Sequence, residues 1–455
     1  MEIDLQAAAS WAGGKAANDD GGVKITAVAT DTRTLPAGAL FVCLKGANFD
    51  GHKFVENAFL RGAVAAMVSD PAALGAHPGI VVPDTLAALG NLAHQYRWQH
   101  NLIPWAAVTG SNGKTTTRSL IAHILRAKGK VCEPQANFNN LVGMPLTILG
   151  NGDDTRFGVV EMGTNHPGEI HRLAEIATPT VAVVTGLASA HLEGLGSLEG
   201  VAREKAEIFF RLPPDGLAVY PAQAPYVHLL RARVPNGVRH ATFSLEGPAD
   251  LVPSDVNMGP DGSHFRADGQ EFFLPLLGRH NVSNCLAALL AVRHFGVSFA
   301  EAAEALPSFK AVGERLQVIS FSNFTVIDDA YNANPESMRA AAQALLDYPA
   351  GRRVMVVGDM AELGPRSAEL HAEIGKWLSR TGIDVILAVG KEALAVAENA
   401  HGQNARQIIR YFPSVLSLLG HLKTTIEQGD VILIKGSHSM NLDRVVSAIK
   451  LLGKK

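Results

Sequence analysis

Residues 108–116 read Val-Thr-Gly-Ser-Asn-Gly-Lys-Thr-Thr. They lie between an apolar run, Trp105-Ala106-Ala107-Val108, and a helical pattern through Ser119, Leu120, Ile121, Ile124 and Leu125. A strand, a glycine turn and a helix in that order narrow the folds open to the chain. Gly110 and Gly113 let the backbone curl so that successive N–H groups face one hollow. The helix start adds its unpaired N–H groups and the positive end of its dipole. Lys114 brings a point charge suited to the outer phosphates of a nucleotide, and the Thr115 hydroxyl suits Mg²⁺. Gly110, Ser111, Asn112, Gly113, Lys114, Thr115 and Thr116 are therefore candidate phosphate-binding residues. The spacing Gly-x-x-Gly-Lys-Thr is two residues shorter than the usual Gly-x-x-x-x-Gly-Lys-Ser/Thr loop. The bland alternative is a plain glycine turn. The Lys-Thr pair, in place at the head of a helix, favours phosphate binding.

A chain of 455 residues is long enough for about three domains, each with its own core. A net charge of −3 and the lack of any basic run argue against a nucleic-acid surface. Met1-Glu2-Ile3-Asp4 lacks a basic region and a long apolar core, so no secretory signal is expected, and no apolar stretch is long enough to span a bilayer. Cys43, Cys132 and Cys285 lie far apart with no Cys-x-x-Cys pair. They are expected to be reduced and buried, which suits a cytoplasmic protein. Residue type alone leaves each open as a nucleophile, but none has the local context of one.

The order of apolar runs predicts an α/β chain of three domains. In residues 1–83 the runs Leu40–Leu44, Ala65–Val68 and Ile80–Val82, with a helix over Phe54–Arg61, make a small α/β unit. Residues 84–99 read as a connecting helix, with Leu86, Leu89, Leu92 and Ala93 on one face. In residues 84–310 the runs ending at Val108 and at Phe157–Val160, Val181–Val184 and Leu217–Tyr220 alternate with helical stretches, which predicts a largely parallel sheet. Residues 237–277 read as short β structure, and a helix around 283–294 closes the unit. In residues 311–455 five strand candidates (Phe324–Ile327, Val354–Val357, Val385–Val389, Ile408–Tyr411, Val431–Ile434) alternate with helices such as 335–347 and 367–379. That is a second doubly wound, Rossmann-like sheet. It lacks a Gly-x-Gly-x-x-Gly fingerprint, so no dinucleotide cofactor is implied.

Several polar residues fall at the C-terminal ends of strands, where such sheets bind ligands. Glu161 ends the run Phe157–Val160. An ordinary strand-end carboxylate is the alternative, but the phosphate loop upstream favours a metal role. His191 follows Val181–Val184. A lone histidine is usually structural, and here two other candidates reach the same sheet edge. Lys205, in Arg203-Glu204-Lys205-Ala206-Glu207, reads locally as a solvated lysine paired to an acid. An ammonium repels Mg²⁺, so Lys205 serves a metal only if it loses its charge, for instance by carbamylation. Asp328 or Asp329 is placed to take a ribose hydroxyl. Lys435-Gly436-Ser437 offers donors to a carboxylate or phosphate, and His280-Asn281 offers groups to a base edge.

Taken together, these segments resemble the Mur ligases, ATP-dependent amide ligases of bacterial cell-wall synthesis. Four stretches carry the resemblance. The first is Asp31-Thr32-Arg33 with Gly38–Val42 and Asp50-Gly51-His52. The second is Asn137-Phe138-Asn139-Asn140 with Gly143–Thr147. The third is Asp328–Pro335, and the fourth is Gly358-Asp359-Met360-Ala361-Glu362-Leu363-Gly364. The resemblance implies an N-terminal UDP-binding domain, a central ATPase domain and a C-terminal domain that binds the incoming amine and closes on ATP. It implies UDP-N-acetylmuramoyl-tripeptide and D-alanyl-D-alanine as substrates, ATP with two Mg²⁺ ions, and a monomer. Lys114 and Thr115 would hold phosphates and Mg²⁺. Glu161 and His191 would be metal ligands, and Lys205 a carbamylated lysine. His280, Asn281 and Asn284 would lie near adenine, and Arg315 and Asp329 would reach the nucleotide. Thr32 and Arg33 would contact the uridine diphosphate. Asn137, Asn139, Asn140, Tyr331, Asn332, Asn334, Lys435 and Ser437 would contact substrate. The chain departs from the family in two places: Thr32 stands where Ser is usual, and His438 where Arg is common.

Three other readings compete. A folylpolyglutamate-type ligase shares the short loop but leaves the Asp-Thr-Arg segment unexplained. A P-loop switch would hydrolyse nucleotide without acceptors. A sugar-nucleotide binding module leaves Glu161 and His191 without a purpose.

Overall fold

Short apolar runs without polar alternation need cover on both faces, and parallel sheets flanked by helices provide it. The computed structural model describes residues 1–100, 102–135, 137–152, 154–313, 315–400 and 407–453, leaving aside the His100 side chain. Its central sheet has six strands in the order Arg239–Phe243, Leu217–Pro221, Val181–Val184, Trp105–Thr109, Phe157–Glu161, Val131–Cys132. Every pairing is parallel.

Trp105–Thr109 is buried along its whole length. Ala106 and Val108 face the core shared by helices Lys114–Leu125 and Arg279–His294, while Trp105 and Ala107 face the opposite core. Successive side chains of a strand point to opposite faces, so one run serves both layers. Gly158 pairs with Trp105 on the neighbouring strand. A Cβ at Gly158 would sit 2.1 Å from the indole, so the ring lies directly over the glycine. Three antiparallel strands, Pro253–Gly259, Gly262–Ala267 and Gln270–Leu274, supply the short β structure expected in this region.

The C-terminal sheet has the order Gln317–Ser320, Thr325–Asp329, Asp430–Lys435, Arg352–Gly358, Val385–Val389, Ile408–Phe412. The five expected strands are parallel neighbours. A sixth, Gln317–Ser320, adds an antiparallel edge. Its ends are exposed and its centre only half-buried, so it carries no apolar run to read.

The N-terminal sheet runs Lys15–Ala17, Gly79–Val81, Ala63–Val68, Ala39–Val42, Ala27–Ala29, with the first strand antiparallel. Helix Thr85–His100 packs against Leu5–Ala12 on one side and against Gly143–Leu149 and Glu169–Ala177 on the other. Among the described residues no helix is long and apolar enough to cross a membrane.

Candidate active site

The C-terminal ends of the central and C-terminal sheets open onto one cavity of about 570 Å³. Its floor is the loop after Trp105–Thr109. Gly113 caps helix Lys114–Leu125 at φ 80, and a Cβ there would meet Asn284 Oδ1 at 2.1 Å. Backbone conformation and close approach both demand glycine at this point. The Ser111 hydroxyl donates to Ala188 O at 3.0 Å and accepts from Ala188 N–H at 2.9 Å, which pins the loop carrying His191. Lys114 Nζ donates to Gly110 O at 2.9 Å. Burial, with a further push from Arg315, lowers the Lys114 pKa from its ordinary value, against the pull of Glu161 and Glu362.

Glu161 is 4% exposed. Its two oxygens accept from the Thr115 hydroxyl at 2.8 Å and from the Asn139 amide at 2.9 Å. Hydroxyl and carboxylate oxygens suit a hard cation. Among the described residues no group of three or more His, Cys, Asp or Glu is arranged to hold a metal ion by itself. A cation here would complete its shell with phosphate oxygens and water, the usual habit of Mg²⁺. His191 lines the cavity at φ 56, with Nδ1 2.6 Å from Glu362 Oε2. That contact is the main cause holding the Glu362 carboxyl below its usual range.

Lys205 lies on helix Leu198–Ala206, is not among the cavity-lining residues and is fully buried, not solvated. Its Nζ has no hydrogen-bond partner. Burial first, then the nearby Lys114 charge, drives its pKa well down. Glu204, its sequence neighbour, is engaged by the N–H groups of Gly168 at 2.7 Å and Ile170 at 2.8 Å.

His280 and Asn281 sit inside the first turn of helix Arg279–His294, not before it. Burial lowers the His280 pKa to about 4, so the ring is neutral near pH 7. Asn284 donates to Asn281 Oδ1 at 3.0 Å. From the other sheet, Asp329 lines the cavity and accepts from Lys435 Nζ at 2.6 Å. Asp328, the alternative, is absent from the lining and accepts from Ala330 N–H at 3.2 Å. The Arg315 guanidinium lies 4.0 Å over the Tyr331 ring. Asn334 and Asn112 exchange amide hydrogen bonds of 2.9 and 3.1 Å across 222 residues of chain.

Asn140, Asn332 and Thr116 also line the cavity. Gly110, Asn137 and Ser437 do not. The Ser437 hydroxyl is buried and accepts from Ala361 N–H at 2.7 Å. Thr32 and Arg33 lie apart, in the 3₁₀ turn Thr32–Thr34 of the N-terminal unit. There Arg33 grips Asp31 at 2.6 Å and holds its carboxyl at about 2. None of the three cysteines lines the cavity, and burial pushes the Cys43 and Cys132 thiols up to about 12, which suits packing and not catalysis.

Glu169, Glu336 and Glu362 are among the lining residues that the sequence reading did not assign to the site. Glu336 accepts from Ser189 N–H at 3.2 Å. Glu362 lies in the loop after the strand Arg352–Gly358, within the stretch Gly358–Gly364 that carried the family resemblance, and that stretch was the available signal.

The chain matches the Mur ligase middle domain over residues 108–292, the Mur ligase glutamate ligase domain over 314–438, and the Mur ligase family catalytic domain over 24–97. It is 39% identical to the UDP-N-acetylmuramoyl-tripeptide–D-alanyl-D-alanine ligase of Bacillus subtilis, over 93% of this chain and 92% of that protein. Its structure resembles a crystal structure of MurF from Acinetobacter baumannii, with TM-score 0.92 and 31% identity over 100% of this chain and 99% of the other. It also resembles a MurF ligase from Thermotoga maritima solved in complex with ADP, with TM-score 0.82 and 28% identity over 93% and 97%.

Proposed function

The chain belongs to the Mur ligase family, and on that premise we propose that it joins D-alanyl-D-alanine to the C-terminal carboxylate of UDP-N-acetylmuramoyl-tripeptide, using ATP. One observation carries the reading. The phosphate loop, Glu161 and His191 from one sheet, and Arg315, Asp329 and Tyr331 from another, line a single cavity. A relative that aligns over 93% of this chain and 92% of its own length bears that activity in its name.

A carboxylate and an amine do not condense in water without activation. The γ-phosphoryl group moves to a carboxylate oxygen of the tripeptide, forming a P–O bond, breaking the β,γ bond and releasing ADP. The amine of D-alanyl-D-alanine then attacks the acyl carbon. The tetrahedral intermediate breaks its C–O bond, phosphate leaves, and the nitrogen gives up a proton. Bringing the carboxylate to the γ-phosphate sets two anions together. Lys114 and the N–H groups of residues 110–116 offset that charge.

Thr115, Glu161, His191 and a carbamylated Lys205 are the residues that would hold two Mg²⁺ ions, which supply further positive charge at the phosphates. The buried, unpartnered Nζ of Lys205 supports the carbamate. His280, Asn281 and Asn284 are assigned to adenine, Arg315 and Asp329 to the nucleotide, and Thr32 and Arg33 to the uridine diphosphate. Asn137, Asn139, Asn140, Tyr331, Asn332, Asn334, Lys435 and Ser437 are assigned to the peptide ends. The working division is UDP-binding over 1–83, ATP-binding over 84–310 and amine-binding over 311–455. A monomer is the expected state, and free thiols support a cytoplasmic setting.

Phosphate release, measured with each acceptor omitted in turn, tests the reading. Release that needs both UDP-N-acetylmuramoyl-tripeptide and D-alanyl-D-alanine is the expected result; release without either acceptor identifies a nucleotide hydrolase instead.

A further inference from the structure

Glu362 lines the cavity yet takes no part in the reaction described above. It comes from the loop after Arg352–Gly358 in the C-terminal sheet and meets His191, from the loop after Val181–Val184 in the central sheet. Glu362 Oε2 lies 2.6 Å from His191 Nδ1. Both are non-glycine residues held in the left-handed region, at φ 62 and φ 56. Such backbone is uphill for side-chain-bearing residues and persists where surroundings hold it. The Glu193 N–H also faces Glu362 O, at 3.4 Å.

His191 Nδ1 is buried, with Glu362 Oε2 beside it at 2.6 Å but outside good hydrogen-bond geometry. The ring lines the cavity, and Nε2 is its other nitrogen. A carboxylate on one imidazole nitrogen fixes the proton there and leaves the other as a lone-pair donor in a set orientation.

We propose that Glu362 is a positioning residue: it holds the His191 ring so that Nε2 faces the phosphate end of the cavity. Because it arrives from the other sheet, it makes that orientation depend on the C-terminal domain being docked. The proposal rests on the reading of the site as an ATP-dependent ligase.

The test compares the full-length wild type with E362A and E362Q. Protein labelled with ¹⁵N-histidine, with ADP and Mg²⁺, reports the protonated nitrogen of His191, whose signals are identified by their loss in H191N. Mn²⁺ affinity in the presence of ADP is read by electron paramagnetic resonance. The expected result is a His191 protonated on Nδ1 in the wild type. In E362A that single tautomer is lost and Mn²⁺ binds about tenfold more weakly. The Mg²⁺ concentration for half-maximal phosphate release rises by a similar factor, with the KM for D-alanyl-D-alanine unchanged. E362Q, whose amide oxygen still accepts from Nδ1–H, recovers most of the loss. An E362A protein with the wild-type His191 tautomer and Mn²⁺ affinity overturns the proposal. The two binding measurements need no turnover. They therefore read this coupling separately from the acceptor-dependence assay, whose failure would remove the ligase reading itself.

Discussion

A buried ammonium without a hydrogen-bond partner is an unfavourable state for lysine, which escapes it by shedding its proton. Lys205 is in that position, with Nζ unpartnered and the Lys114 charge nearby. A neutral amine can add to CO₂, forming an N–C bond and releasing a proton, and the carbamate is an anion where the ammonium was a cation. Lys205→Ala is expected to lower kcat on the order of 10²–10³, the scale of losing one charged group from a phosphoryl-transfer site. Formate or acetate should restore part of the rate by filling the vacated space. ¹³C NMR under ¹³CO₂ should show a carbamate carbon in the wild type alone. A folded variant that no short acid rescues, together with a wild type lacking the ¹³C signal, removes the carbamate. The local sequence around Lys205 pointed the other way, to a charged helix face. Burial overrode it, and burial depends on what packs against the helix, which no window of neighbouring residues contains. Lys114 and Glu161 were legible because a turn, a strand end and a helix start are local features.

Strands were legible where apolar runs are long enough to stand out. Trp105–Thr109, Phe157–Glu161 and Val385–Val389 are buried almost throughout and were read within a few residues of their ends. Val131–Cys132 has two residues and Lys15–Ala17 has three, so neither shows a period. What no run reveals is the fit between neighbours, and Gly158 beneath the Trp105 ring is the clearest case. Gly158→Ala puts a methyl group 2.1 Å from the indole in the interior of the central sheet. Overpacking of this kind costs about 1–3 kcal/mol, and thermal unfolding should show a fall of several degrees. Gly158→Ala combined with Trp105→Leu should lose less than the sum of the two single changes, because the smaller side chain makes room for the methyl group. Strict additivity would mean that the strands shift apart instead.

At the scale of the whole molecule, the cavity exists only because two sheets face one another. Their meeting points are residue pairs far apart in the chain: the Asn112 and Asn334 side chains, the Ser189 N–H with the Glu336 carboxylate, and the His191 and Glu362 side chains. The sequence supplied the members of the first pair as separate binding residues and gave no sign that they bond to each other, since nothing local encodes a contact across 222 residues. Their pairing makes docking of the C-terminal domain testable at the level of turnover. Asn334 caps helix Pro335–Asp347, its Oδ1 accepting from Ser337 N–H at 2.9 Å as well as from Asn112. Asn334→Ala therefore loses a cap, about 1 kcal/mol of stability, in addition to the link across the cavity. Asn112→Ala loses the link alone. In a double-mutant cycle the cap contributes equally to Asn334→Ala and to the double variant, and so it cancels. What survives is the energy of the reciprocal amide pair, expected at roughly 1 kcal/mol from two neutral hydrogen bonds partly shielded from water. Measured on kcat/KM for ATP, that coupling should be present if the sheets must meet for phosphoryl transfer. Measured on thermal unfolding without nucleotide, it should be equal or smaller. A cycle that closes to zero on kcat/KM would mean that the enzyme turns over with these two loops apart, and the reaction would need a docked arrangement built on other contacts.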